Sequence, residues 1–149
     1  MEERVRKLAR KRRQQLREAA SALELAIAAP ARTGSVWRDR VHRKLLDVRR
    51  ALEDHIAEVD GPGGLAEQIS EERPRLINPM GLLSAEHGDL REKVANILKI
   101  IGRMPAKLRE ADAAGVREAV MALIGQISRH RQKGADLVFD AYNVDIGGE

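Results

Sequence analysis

Residues 37–64, WRDRVHRKLLDVRRALEDHIAEVDGPGG, contain a long helical segment followed by the signal that ends it. The apolar residues of this segment recur at alternating steps of four and three: Val41, Leu45, Val48 and Leu52. This is the spacing of one face of an α-helix. The glycines and proline of 61–64 then stop the helix, because proline breaks the backbone hydrogen-bond ladder and glycine favours helix ends. The stretch therefore predicts one long amphipathic helix over about 37–60.

Three further stretches have apolar residues at the same helical spacing. Their predicted ranges are 3–29, 79–101 and 112–142. Asn78 and Asp112 are the candidate caps of the last two helices, since their side-chain oxygens can accept hydrogen bonds from exposed amides. The connection over 61–78 is irregular, with one short helical turn expected around 65–69. The pattern predicts an all-α fold, an antiparallel up-and-down four-helix bundle.

The composition of the chain agrees with this fold class. Of 149 residues, 43% are apolar, only three are aromatic and none is cysteine. Few aromatic residues disfavour a β-sandwich or barrel, and the absence of cysteine excludes disulfides, thiol nucleophiles and cysteine-ligated zinc. No apolar run approaches the roughly 20 residues of a membrane span. We therefore expect a single cytoplasmic domain over 1–149, with a frayed tail over 143–149.

Positive charge is concentrated in the first helix. Residues 1–17 contain eight Lys or Arg and two Glu, whereas the whole chain has a net charge of +4. This cluster suggests docking to an acidic partner, and its candidate contacts are Arg10, Lys11, Arg13 and Arg17. Nucleic acid is a less favoured partner, because no aromatic residues interleave with the charges to stack on bases. A solvated helix face is the alternative interpretation.

Three of the four histidines occupy core positions of the apolar stripes. The three- and four-residue spacing of the apolar residues includes His55 in the second helix, His87 in the third and His130 in the fourth. His42 lies one residue away from the apolar stripe of the second helix. If neighbouring helices are antiparallel, counting residues from the helix ends places these three histidines at about the same height along the bundle. Three inward imidazoles in one layer are typical of a metal site, because imidazole binds iron, zinc, copper and nickel.

At these residues the sequence resembles the haemerythrin-like, or HHE cation-binding, domains. The motifs that carry the resemblance are LEDHIAEVD at 52–60 with the following GPGG, SAEHGDL at 84–90, and HRQKGADLVFDAY at 130–142. The resemblance implies a four-helix bundle that commonly holds two iron ions between its helices. It also implies that His55, His87 and His130 are metal ligands.

The chain departs from the family pattern at the other ligand positions. Val59, Arg91 and Ala135 stand where the family has a carboxylate, a second histidine and a further carboxylate. Glu58 and Glu86 are the nearby carboxylates that could complete a metal site. The first helix has no histidine, and its stripe places Arg12 at the histidine layer, where a cation would oppose a metal ion.

Three interpretations of the histidine layer stay open: a single metal ion, a dinuclear iron centre, and a metal-free bundle whose histidines bond to acidic neighbours or to each other. Bound metal, with iron first, would imply a role in metal, oxygen, nitric oxide or redox sensing. The alternative function is a metal-free structural or interaction module, such as a helical homodimer, that docks an acidic partner or nucleic acid through its basic first helix. No enzyme motif is found, so the sequence favours a non-enzymatic role.

Overall fold

The computed structural model describes residues 3–31 and 34–143, and within these ranges it is helical with no strand. The helices are α1 Glu3–Ala28, α2 Gly34–Asp60, α3 Leu65–Glu72, α4 Ile77–Gly102 and α5 Glu110–Tyr142, with a 3-10 turn over Pro74–Leu76. The all-α class and the four long helices are confirmed. The predicted frayed tail lies outside the described residues except for Asn143, whose left-handed backbone ends α5.

The four long helices pack side by side as a bundle. Helix α1 lies against α2 and α5, and α4 lies against the same two helices. Side-chain contacts show which residues of neighbouring helices lie at the same height along the bundle. Glu53 of α2 pairs with Arg91 of α4, and Arg117 of α5 donates to the carbonyl oxygen of Ile27 in α1. The short α3 packs on α2 and α4. No helix of the described residues is both long and apolar enough to cross a membrane.

The predicted stripes are the buried faces of α2 and α4. Every stripe position predicted in these helices is buried, including the histidine in each. In α1 the prediction was wrong by one residue at the histidine layer: Arg13 is buried there, whereas Arg12 is half-buried. The buried residues Val5, Ala9 and Arg13 of α1 are each four residues apart, so the buried face of this helix includes Arg13 and not Arg12.

Two helix starts also differ from the prediction. Helix α4 begins at Ile77 after the 3-10 turn, so Asn78 lies inside the helix and Leu76 is the N-cap. Pro79 fits there because the amides of the first turn have no partner within the helix. Helix α5 is capped by Arg109, and Asp112 in its first turn accepts a hydrogen bond from the Arg109 amide. Asp112 therefore supports the cap but is not the cap.

The apolar core is divided in two. The larger cluster extends from Ala113 and Trp37 at one end to Leu52 and Leu90, and the smaller one surrounds Met80 near α3. Of the five buried polar side chains of the described residues, Arg13, His55, His87 and His130 lie between the heights of the two clusters, and the fifth, Arg131, follows His130 in α5. This polar layer interrupts a core that is otherwise aliphatic, so it needs an explanation beyond packing.

Candidate metal centre

Three helices each contribute one imidazole to the polar layer. His55 of α2, His87 of α4 and His130 of α5 are 4%, 2% and 2% exposed. Their ring centroids lie 4.9 to 5.4 Å apart, and one ring nitrogen from each lies within 4.8 Å of the others. The prediction that these three histidines meet in one layer is confirmed.

A carboxylate orients His87 from its outer side. The Nδ1 atom of His87 lies 2.7 Å from Oδ2 of Asp60, the last residue of α2. The other carboxylate oxygen of Asp60 accepts a 2.8 Å hydrogen bond from the Ser84 hydroxyl. Because an ionised carboxylate only accepts hydrogen bonds, the network assigns the His87 proton to Nδ1 and leaves Nε2 with its lone pair.

A second carboxylate orients His130 in the same way. The Nδ1 atom of His130 lies 2.9 Å from Oε1 of Glu86, and Oε2 of Glu86 accepts a 2.7 Å bond from the Lys133 ammonium. The Nε2 atom of His130 therefore also carries a lone pair that points into the layer. Imidazoles that bind metals in proteins are oriented by carboxylates at the far ring nitrogen in this manner.

The third imidazole completes the layer. The Nε2 atom of His55 lies 3.2 Å from Nε2 of His130 and donates to it in the tautomer that the network favours. Among the described residues, His55 Nδ1 and His87 Nε2 have no hydrogen-bond partner although both are buried. A buried nitrogen without a partner costs about 1–3 kcal/mol. Two such atoms in one layer indicate that hydrogen bonding within the chain does not fully satisfy it.

The surroundings of His55 and His130 favour the neutral forms of these two rings. Burial lowers the pKa of His55 well below 6.5, with further lowering from His130, His87 and Arg13. Burial also lowers the pKa of His130, although the Glu86 hydrogen bond opposes it. Burial would raise the pKa of Glu86, but its bonds from Lys133 and His130 outweigh this and lower it. A neutral imidazole with an ionised carboxylate behind it, as for His130 and Glu86, is the protonation state that a metal ion requires.

One cation lies against this layer. Arg13 is 2% exposed and lines a small inner cavity together with His55 and His130. The neighbouring Arg12, predicted to face the layer, instead approaches Asp54 and Gln15 near the surface. The arginine that opposes a metal ion is therefore Arg13, one position from the one expected.

Comparison of the chain with protein-family models, with curated proteins and with solved structures finds no match. No family is assigned. The layer must therefore be interpreted from its own geometry.

The predicted carboxylate ligands lie outside the histidine cluster. Glu86 contacts the outer nitrogen of His130, and Glu58 is half-buried, where burial raises its pKa against the charges of Arg12 and Arg4. His42 is exposed, as expected from its place off the stripe. Asp60 follows Val59 in the sequence, but its contact with His87 was not predicted. The available signal was the position of Asp60 near the end of α2, at the height of His87 in α4.

The proposed basic docking face needs one correction. Arg13 is buried in the bundle and cannot contact a partner. The remaining members, Arg10, Lys11 and Arg17, are exposed. The stem of Arg13 packs beside Gly134 of α5, since a methyl group added at Gly134 would lie 3.9 Å from the Arg13 Cδ atom.

Proposed function

We propose that this protein is a haemerythrin-like bundle of antiparallel up-and-down helices that binds one transition-metal ion through His55, His87 and His130. Iron, the metal that the family resemblance implies, is the first candidate, for a sensing role toward metal, small gases or redox state. The observation that carries the proposal is the pair of carboxylate-oriented imidazoles beside a third one in a buried layer. The antiparallel order of α2 and α4 is supported by two contacts: Asp60 bonds to His87, whereas Glu53, earlier in α2, pairs with Arg91, later in α4.

The spacing of the ring nitrogens suits a metal ion. Two ligands that each lie about 2.0–2.1 Å from a tetrahedral ion are about 3.3–3.4 Å apart. The two Nε2 atoms of His55 and His130 are 3.2 Å apart. Only a modest inward movement of His87 is then needed, because all three ligand atoms already lie within 4.8 Å. Binding would replace the His55–His130 hydrogen bond and satisfy the lone pair of His87 Nε2.

A single ion fits the chain better than two. Dinuclear carboxylate centres in helical bundles depend on carboxylates that project inward from several helices. Here Glu86 is bonded to the outer nitrogen of His130 and to Lys133, and Glu58 lies outside the cluster. Three neutral imidazoles leave at least one coordination position for water or another ligand, as in catalytic and sensing metal sites.

Elemental analysis of untagged protein expressed with added iron tests this proposal. We expect roughly one equivalent of metal per chain. His87→Ala should lose it, whereas His42→Ala, which removes an exposed histidine, should retain it. Less than about 0.2 equivalents of every transition metal in the wild type, before and after dialysis against iron or zinc, would contradict it.

A second candidate function is docking of an acidic partner through α1. It is favoured by the exposure of Arg10, Lys11 and Arg17 on that helix. Binding of an acidic polypeptide at about 50 mM salt that is lost at higher salt would support it, because exposed charges are screened by salt. Charge reversal at Lys11 and Arg17 should then weaken binding without changing metal content.

A further inference from the structure

A groove lies on the outer side of the bundle between α4 and α5. Its volume is about 570 Å³, which is within the range of about 300–1,000 Å³ that is usual for small-molecule sites. Four apolar and four charged side chains line it: Pro79, Leu82, Leu83, Glu86, Lys133, Asp136, Leu137 and Asp140. The buried arginines of the described residues, Arg13 and Arg131, do not line it.

The apolar side chains of the groove are open to solvent. Leu82 is 73% exposed and Leu137 is half-buried. Water that covers such side chains is released when a hydrocarbon group takes its place, and this release favours binding. The apolar part of the groove therefore fits the hydrocarbon part of a ligand.

Most charges of the groove are balanced within the chain. Glu86 accepts a 2.7 Å bond from the Lys133 ammonium and contacts His130 with its other oxygen. Asp140 pairs with Arg75, which lies outside the groove, at 3.0 Å. These two carboxylates each have a positive partner, and Lys133 has a negative one.

Asp136 is the exception. It accepts a 2.9 Å hydrogen bond from the side-chain amide of Gln132, which is uncharged. Among the described residues no Lys or Arg pairs with this carboxylate, so the groove has one unbalanced negative charge although the whole chain has a net charge of +4. A positively charged group would pair with Asp136, and a negatively charged group would be repelled by it.

We propose that this groove binds a small organic cation with one ammonium group on a hydrocarbon chain. The ammonium group pairs with Asp136, and the hydrocarbon chain covers Leu82, Leu83 and Leu137. The site does not require a metal ion, so this inference is independent of the proposed metal function.

Titration of the metal-free, ¹⁵N-labelled protein with n-hexylamine tests this assignment through the amide chemical shifts. At pH 7 the amine is charged, and at about 20 mM salt exposed charges are weakly screened. We expect saturable shifts at Leu82, Leu83 and Leu137 with a Kd of roughly 1 mM, a usual affinity for so small a ligand. Hexanol, with a neutral head group, should bind more weakly, and hexanoate should bind more weakly still.

Two variants separate the charge from the apolar surface. Asp136→Asn keeps the size of the side chain and an oxygen for Gln132, and it should weaken hexylamine binding about two- to fivefold, as expected for an exposed ion pair. It should leave hexanol binding unchanged. Leu82→Ala should weaken binding of both ligands. Asp89→Asn is the matched control, because this exposed carboxylate of α4 lines a different surface cavity.

Three results would overturn the proposal: no saturable shift in the groove, hexanoate binding as tight as hexylamine binding, or equal hexylamine binding in Asp136→Asn and the wild type. Groove amides that shift on dilution of the protein, without any response to hexylamine, would assign this face to contact with a second copy of the chain and would also overturn it. Metal content is measured separately, so none of these results affects the proposed metal function.

Discussion

The Nδ1 atom of His87, in the first half of α4, lies 2.7 Å from Oδ2 of Asp60, the last residue of α2. The same carboxylate accepts from Ser84, so its position is defined from two sides. His87 in turn presents a buried Nε2 lone pair with no partner among the described residues. The carboxylate thus prepares the imidazole for a ligand on its inner side.

Asp60→Asn should weaken metal binding by about 10–100-fold, the usual effect of removing such an outer carboxylate. The amide can turn its NH2 group to His87, which would stabilise the wrong tautomer. Competition with a coloured chelator measures the change. Asp54→Asn, an exposed residue of the same helix, is the control. Equal affinities for Asp60→Asn and the wild type would show that Asp60 does not orient His87 for metal binding.

Metal binding should raise the thermal stability of the protein. A ligand that binds only the folded state at 100 times its Kd contributes about 2.7 kcal/mol. We expect the Tm of the chelator-treated protein to rise on addition of Zn²⁺ and to fall again with excess chelator. His130→Ala should show no rise. A Zn²⁺-induced rise of the same size in that variant would show that the ion binds elsewhere.

Without metal, the free energy of unfolding should fall as the pH drops below about 6.5. Burial, together with His130, His87 and Arg13, lowers the pKa of His55 in the folded state, and burial lowers that of His130. The unfolded state then binds more protons below pH 6.5, so acid favours unfolding. Urea titrations at pH 7.5 and 5.5 in chelator measure this. An unchanged free energy would mean that these rings titrate normally.

The helical bundle could be predicted from the sequence because the spacing of apolar residues within each helix is a local pattern. The stripes through Leu52 and Leu90 predict buried helix faces by spacing alone, and glycine and proline punctuate the helix ends. Which face of α1 is buried was harder to predict. Arg12 and Arg13 are adjacent and chemically equal, and only the packing of Arg13 beside Gly134 distinguishes them.

The histidine layer was predictable from the same spacing, but its outer carboxylates were not. Glu86 precedes His87 in the sequence, whereas it bonds to His130, and Asp60 bonds to His87 from another helix. Both bonds depend on side-chain direction, which the spacing does not determine. The two helix starts were missed for a related reason. The 3-10 turn at Pro74 and the cap at Arg109 depend on backbone geometry that residue type alone does not determine.

Gly134→Ala should stabilise the metal-free protein by up to about 1 kcal/mol, because glycine in a helix interior is that much less favourable than alanine. Its added methyl group meets Leu83 and Arg13 at ordinary contact distances. Thermal unfolding measures the gain, and Gly88→Ala should give a similar one. Destabilisation by Gly134→Ala alone would mean that the cavity wall cannot accept a methyl group.

X-ray absorption spectroscopy of the zinc-loaded protein measures directly whether His55, His87 and His130 bind one ion. We expect three imidazole nitrogens at about 2.0–2.1 Å from a single zinc ion, and one fewer in His87→Gln. A spectrum with oxygen ligands only, or one that is unchanged when His87 is replaced, would contradict it.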